Sequence, residues 1–461
     1  MTPRGGERRR PDRLSPQDLS NIRVEDSGLP MNVAALVMLG GGGPGMPTTL
    51  RLDALVATIG SRVHLAPRLR QVLRQPRPGL GAPFWADDPE FDVRKHVLCR
   101  PVPPPGDEQT LLALCADLNR PPLDRSRPLW QIWLLTGITG GRSALLIRLH
   151  HVLADGAAAL ELMGSLFDPG GCEPPVAVPD WLPVPAPTAW ELAADSLGST
   201  LHAIAGVFAR VIHVGELIGR VGRAARQAGR VAREGIAPRV SLNTPVSGEC
   251  RLALIRTDLD AVRSAAHRHS GRVNDVLLAA VASGARSLLA ARGELRPGLT
   301  LKASVAVSLR SPGDSPARTG NRVGVMLAPL PVTEPNTGRL LAQIARATAV
   351  RKHQPAYQPD SRVLQRWMVR AMRRQRLVNV LVSDLPGPTQ PLSMAGSPVE
   401  EIFQIGVVQG NVTISVGAIS YAGQLNIDIV SDRQAVPDIA VFAAGMSRAL
   451  GELVGPERDW A

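Results

Sequence analysis

Aromatic residues are scarce, with six Phe, seven Trp and two Tyr among 461 positions. That supply argues against a surface built to stack the bases of single-stranded nucleic acid. Lysine is rarer still and occurs only at Lys95, Lys302 and Lys352, so nearly all of the positive charge is Arg. The four cysteines, Cys99, Cys115, Cys172 and Cys250, form no CxxC pair. A cysteine-only zinc site and a disulfide scaffold are therefore disfavoured, and a reducing compartment fits best. No apolar run reaches the ~20 residues of a membrane span; Val33–Gly43 and Val276–Ala285 come nearest. No apolar stretch follows the charged Met1–Arg13, so this segment reads as a disordered basic arm (residues 1–14) rather than a secretory signal.

Chemical signatures are missing as well. There is no GxSxG nucleophile elbow and no P-loop. The run Gly40-Gly41-Gly42-Gly43-Pro44-Gly45 lacks GxGxxG spacing and reads as a flexible loop. No HExxH or third nearby His supports a metal site.

What is present is a globular composition, 44% hydrophobic and 20% charged, long enough for more than one domain. The net charge of +12 comes with an excess of Arg, Gly and Pro. A GC-rich genome writes such a composition, so charge alone is a weak guide to partners. Residues 15–170 alternate apolar runs with helical stretches: strands at Ala34–Leu39 and Ala144–Leu149, helices at Leu50–Thr58 and Gln109–Asn119. Residues 171–245 are first Pro-rich and then helical, from about Trp190 to Glu234. Arg220, Arg223, Arg226, Arg230 and Arg233 fall on one side of that helix. Residues 246–461 form a second α/β half. Strands are expected at Arg251–Thr257 and Ala303–Ser308, and a helix at Asp275–Ala291 with Asn274 as its cap. Gly406–Val430 reads as two strands around Tyr421-Ala422-Gly423, and a final helix starts near Pro437. The fold class is α/β in two halves.

The sharpest local feature is His150-His151-Val152-Leu153-Ala154-Asp155-Gly156, at the end of the apolar run Ala144–Leu149. Adjacent histidines in a strand point to opposite sides, so at most one faces a given cavity. A neutral imidazole near a carboxylate is a standard general base near neutral pH. A satisfied core histidine beside a capping Asp is the competing reading of the same residues. Without a Ser or Cys nucleophile motif, direct transfer assisted by a His base is the simplest chemistry.

Several motifs in order carry a resemblance. They are Ser15-Pro16-Gln17-Asp18, Pro83-Phe84-Trp85, Phe91-Asp92, Leu123-Asp124-Arg125-Ser126-Arg127-Pro128-Leu129-Trp130 and the His150-His151 motif. Asn274-Asp275-Val276-Leu277-Leu278-Ala279, Val307-Ser308-Leu309-Arg310, Gly320-Asn321, Pro386-Gly387-Pro388, Ser420-Tyr421 and Val436-Pro437-Asp438 follow. From about Ser15 to Val454 the chain resembles the bacterial wax ester synthase/diacylglycerol acyltransferase family, within the acyltransferases of the chloramphenicol acetyltransferase fold. Two positions depart from it. Asn32 stands where the family usually has His, and Asp384 where it usually has Asn.

The resemblance implies two chloramphenicol acetyltransferase-like domains joined by the Pro-rich and helical crossover, with an active-site channel between them. It implies His151 as general base, His150 and Asp155 in support, Arg310 as structural partner of Asp155, and Asn274 and Gly156 near the substrate. Metal and cofactor are not expected; acyl-CoA would be the co-substrate. Diacylglycerol is the expected acceptor, giving triacylglycerol, with a long-chain alcohol, giving wax ester, as the alternative. A non-catalytic lipid-binding relative, a carrier-protein condensation domain and a nucleic-acid binder are the other classes to weigh. A cytoplasmic location is expected, with peripheral contact to a membrane or lipid droplet. The candidate contact is a helix at Ser361–Arg374, where Leu364, Trp367, Met368, Ala371 and Met372 alternate with Arg366, Arg370, Arg373 and Arg374.

Overall fold

A computed structural model of the chain describes residues 11–26, 30–41, 50–153, 156–169, 181–212, 236–308, 323–352 and 374–455. In chain order the first strands are β1 (Asp12–Arg13), β2 (Asn32–Leu39), β3 (Gln71–Arg74), β4 (Phe84–Asp87), β5 (Val97–Pro101), β6 (Trp130–Thr136), β7 (Ser143–His150) and β8 (Asp168–Pro169). Then come β9 (Cys250–Asp258), β10 (Leu301–Ser308), β11 (Val323–Leu330), β12 (Val380–Leu385), β13 (Leu392–Met394), β14 (Ser397–Ile405), β15 (Ile414–Tyr421) and β16 (Gln424–Asp432). The helices are α1 (Pro16–Asp26), α2 (Leu52–Arg62), α3 (Glu108–Asn119), α4 (Gly156–Gly164), α5 (Ala189–Ile212), α6 (Leu259–Arg268), α7 (Val273–Ala291), α8 (Thr337–Lys352) and α9 (Ile439–Val454).

Two large mixed sheets organise the molecule. The first runs β5-β6-β7-β2-β14-β13-β8 and the second β11-β10-β12-β15-β16-β9. β13 and β14 come from the second half of the sequence yet lie in the first sheet, where β14 pairs antiparallel with β2. Assigning all of 246–461 to a second half therefore does not follow the sheets. The reason is physical: Val399, Ile402 and Phe403 find their buried neighbours on the first half's faces.

β7 shows why the His motif ends where it does. Every residue from Ser143 to His150 is buried. Leu145, Ile147 and Leu149 face one apolar cluster, with α2 and α4, while Ala144 and Leu146 face another, with α3 and β9. A strand buried on both faces reads as a continuous apolar run, as this one does. Its neighbours are β6 and β2, both antiparallel, and Asn32 is the cross-strand partner of His150.

The second core surrounds α7. It is 19 residues long and apolar enough to span a membrane by length and composition, contrary to the reading that no run is long enough. Its residues Val276–Ala282 are buried, packed among α6, α9 and the second sheet. Burial inside the second half makes it a core helix.

Two further expectations are corrected. Asp12–Arg13, assigned to a disordered arm, pairs with Phe84–Trp85 of β4, and Arg13 Nε donates to Asp195 of α5 at 2.6 Å. Asn274 is not the cap of α7. The helix starts one residue earlier at Val273, and Arg272 stands at the N-cap. The Asp275 carboxylate accepts the Arg272 backbone N–H at 2.8 Å, and Thr348 Oγ1 donates to it at 2.6 Å. An acid in the first turn reaches back to the N-cap amide, as in a capping box. The arginine row Arg220–Arg233 and the Ser361–Arg373 part of the proposed surface helix lie outside the described residues.

Candidate active site

The strand and helix on either side bring His150, His151 and Gly156 to the end of β7. Asp155 and Arg310 lie outside the described residues. Asn274 sits in the first turn of α7, in the second half. Its Oδ1 is buried without a hydrogen-bond partner among the described residues.

The two histidines differ in environment. His150 is wholly buried. Its Nδ1 accepts the backbone N–H of Val152 at 2.9 Å, and its Nε2 lies 3.2 Å from Glu25 Oε2. Nδ1 is thus held by the backbone, while Nε2 lies buried at charge-contact distance from Glu25, so neither ring nitrogen is open to solvent. His151 follows the last strand residue and is half-buried. Its N–H donates to Met31 O at 2.8 Å, and Asn21 Nδ2 reaches its carbonyl at 3.4 Å.

Glu25 comes from α1, whose start is fixed by Ser15 and Asp18: Ser15 Oγ donates to Asp18 Oδ2 at 2.6 Å and accepts the Asp18 N–H at 3.1 Å. Burial pushes the Glu25 carboxyl up, but the contacts with His150 and Arg125 outweigh it and hold the carboxyl below its usual range. Arg125 Nε donates to Glu25 at 2.9 Å, with Nη2 on the same oxygen. This pairing joins residues a hundred positions apart and is invisible to local pattern reading. The only sequence signal was Arg125's place in the motif ending at Trp130.

The rest of that motif supports the strand. Leu129 O accepts the His150 N–H at 3.0 Å. Trp130 is buried, donates Nε1–H to Leu69 O at 2.7 Å, and stacks on His96 with ring centroids 4.5 Å apart. Arg148, two residues before His150, is 3% exposed, and its hydrogen bonds among the described residues go to amide and carbonyl oxygens. Desolvation lowers its pKa to about 10. It donates to Gln131 Oε1 at 2.8 Å and to Pro121 O at 2.5 Å. Asn32, at the departing position, donates Nδ2–H to Asn119 O at 2.9 Å and Pro121 O at 2.7 Å. It thereby ties the loop before Arg125 to β2.

The second half meets the motif through β12. A Cβ on Gly156 would sit 2.9 Å from Leu385 Cδ1, so the start of α4 lies directly against the end of β12. Next to Leu385, the Asp384 carboxyl is pushed up to about 6 by burial. Leu381, Ser383 and Leu385 share one face of β12, and Asp384 shares the other with Val380 and Val382, which belong to the core around α7. A separate pocket of about 50 Å³ opens at the seam, between Asn32, Asn119 and Arg120 on one side and Cys250, Gly406 and Val430 on the other. It is too small for a fatty chain, and His151 does not line it.

Known proteins agree with this architecture. The sequence profile of the wax ester synthase/diacylglycerol acyltransferase catalytic domain matches residues 14–277, and that of the WS/DGAT C-terminal domain matches 319–454. A putative diacylglycerol O-acyltransferase of Mycobacterium bovis is 30% identical over 96% of this chain and 95% of its own length. The probable diacylglycerol O-acyltransferase tgs1 of Mycobacterium tuberculosis H37Rv is 30% identical over the same shares. Among solved structures, the wax ester synthase/diacylglycerol acyltransferase of Marinobacter aquaeolei VT8 superposes with a TM-score of 0.68 at 24% identity, covering 96% of this chain and 98% of that one. The starter condensation domain of rhizomide synthetase, in complex with C8-CoA, gives 0.58 at 15% identity over 96% and 94%. With both profiles matched along most of its length, the chain belongs to the wax ester synthase/diacylglycerol acyltransferase family and is an acyltransferase.

Proposed function

We propose that the protein transfers a fatty acyl group from acyl-CoA to the free hydroxyl of diacylglycerol, giving triacylglycerol and free CoA. The observation that carries the catalytic part is the difference between the two histidines. His150 is wholly buried, with Nδ1 on the Val152 amide and Nε2 beside Glu25, whereas His151 stands half-buried at the strand end. The acceptor is read from the relatives named diacylglycerol O-acyltransferases at 30% identity. A long-chain alcohol, giving wax ester, is the second reading, supported by the name of the Marinobacter relative.

In this mechanism the His151 imidazole takes the hydroxyl proton as the alcohol oxygen attacks the thioester carbonyl. The new C–O bond forms, the C–S bond breaks, and the proton passes from the imidazolium to the departing sulfur. No covalent acyl-enzyme is formed and no cofactor is needed beyond acyl-CoA as co-substrate. A base so placed typically contributes ~10²–10⁴-fold. Asp155, paired with Arg310, would fix the loop, and Asn274 and Gly156 would border the substrate. Because diacylglycerol and its product are water-insoluble, the reading places the enzyme in the cytoplasm, peripheral to a membrane or lipid droplet. The test is acyl transfer from labelled oleoyl-CoA across diacylglycerol, long-chain alcohols and monoacylglycerol. Triacylglycerol as the main product is expected. Binding without turnover on every acceptor would instead leave a non-catalytic lipid-binding relative.

A further inference from the structure

The proposed chemistry uses His151 as its base, yet the fold places a buried charge cluster one residue away. Its geometry is directional. His150 Nδ1 accepts the Val152 N–H, so the ring proton belongs on Nε2, which faces Glu25 Oε2 at 3.2 Å. Glu25 is itself buried and gripped by Arg125 through Nε at 2.9 Å and Nη2 at 2.5 Å, while Arg125 Nη1 reaches Asp26 at 2.8 Å. The ring therefore sits between a carboxylate on α1 and the amide of the turn that follows His151. That turn is held at two more points. Leu153 N–H donates to His150 O at 2.9 Å, and His151 N–H to Met31 O at 2.8 Å.

We propose that Glu25 and Arg125 are positioning residues for His151. Together they hold the His150 ring in the tautomer that ties down the Val152 amide, and so fix the turn carrying the base. This rests on reading His151 as the base. The cluster gives the Leu123–Trp130 motif a function: its Arg125 steadies the carboxylate, while its Leu129 carbonyl anchors the His150 amide. A purely ionic prop between α1 and the loop at Arg125 would not need the imidazole in the chain of contacts.

Two conservative substitutions separate the ideas. Glu25→Gln keeps a neutral acceptor at the same reach from Nε2–H but gives up the charge. Glu25→Asp keeps the charge but withdraws the oxygens by one methylene. Positioning predicts that Glu25→Gln retains most of kcat while Glu25→Asp and Glu25→Ala lose ~10–100-fold, the scale of a misplaced catalytic group. The KM for acyl-CoA should stay within about twofold throughout. An ionic prop predicts the reverse order, with the aspartate variant active and the glutamine variant impaired.

The measurement is steady-state transfer from labelled oleoyl-CoA to dioleoylglycerol by the full chain, with thermal melts and ¹⁵N-histidine NMR on each variant. The NMR should show His150 protonated at Nε2 in the wild type and in Glu25→Gln, with that tautomer lost in Glu25→Ala or, if that variant does not fold, in Glu25→Asp. Wild-type kcat in a folded Glu25→Asp protein, or the reverse order of the two variants, overturns the proposal. If the wild type transfers to no alcohol, the proposed function has failed, and the NMR alone judges the clamp. Unchanged His150 and His151 ring signals in folded Glu25→Asp would then overturn it.

Discussion

Arg256 on β9 reaches across from the second sheet to Glu401 on β14 of the first, donating through Nε to Oε1 at 2.5 Å and through Nη2 to Oε2 at 3.0 Å. The same Nη2 reaches Glu108 of α3 at 2.7 Å. The guanidinium also lies over the Phe403 ring, 5.1 Å from its centroid. A partly buried, bidentate pair is costly to break from one side, because the remaining carboxylate stays buried without its cation. Arg256→Met should lower stability by ~2–4 kcal/mol, with Arg256→Lys intermediate because it cannot form the two-pronged contact. Urea unfolding checks this; a midpoint equal to wild type would show that Glu401 finds another partner.

The division of labour between the histidines is a second prediction. His151→Ala should reduce acyl transfer by ~10²–10⁴-fold while leaving the thermal midpoint close to wild type, because the residue is only half-buried. His150→Ala should lower stability by ~2–4 kcal/mol, since it empties a fully buried site and leaves the Val152 amide without its acceptor, while Glu25 keeps only Arg125. Transfer assays paired with circular dichroism melts decide. A folded His151→Ala protein with wild-type turnover would assign the base elsewhere.

Asp384 gives a pH-dependent prediction. Burial raises its carboxyl to about 6, against ~3.9 for an unfolded chain. Between those values the folded state binds more protons than the unfolded one, so this group's contribution to stability falls as pH rises through that window. Asp384→Asn removes the penalty. The variant should melt higher than wild type above about pH 6.5 and gain nothing near pH 4. Melting curves at both pH values test the sign; equal gains at both would exclude titration as the cause.

Gly387, in the Pro386-Gly387-Pro388 segment after β12, has no room for a side chain. A Cβ there would collide with the Ser420 carbonyl oxygen, and the Gly387 N–H donates to Ser420 Oγ at 3.1 Å. Backbone cannot yield as a side-chain tip can, so Gly387→Ala should cost ~1–3 kcal/mol and push this segment off Ser420. A lower urea midpoint with an unchanged slope is the expected result.

Much of the fold was legible because its signals are local. β7 is a continuous apolar run, α3 begins after Asp107, whose carboxylate accepts the Thr110 N–H at 2.8 Å, and the β15–β16 hairpin turns at Ala422–Gly423, both with positive φ. Each feature depends on residues within a few positions of one another, so pattern and turn chemistry suffice. The two-histidine motif was legible for the same reason, and ordered short motifs carried the family.

Sequence alone therefore determined the α/β class, the strands β2, β7, β9, β10, β15 and β16, the helices α2, α3, α7 and α9, the family and the place of the histidines. Tertiary structure decided the rest. It decided that β13 and β14 cross into the first sheet, that α7 is a core helix and that Asp275 rather than Asn274 closes its start. It decided that His150 is paired with Glu25 and Arg125, residues 125 and 100 positions removed along the chain in the pairings His150–Glu25 and Glu25–Arg125. The physical reason is that strand exchange and buried ion pairs are chosen by which surfaces meet. A buried carboxylate must find a cation and a donor wherever the chain has folded them, and nothing in its neighbouring residues says where that is.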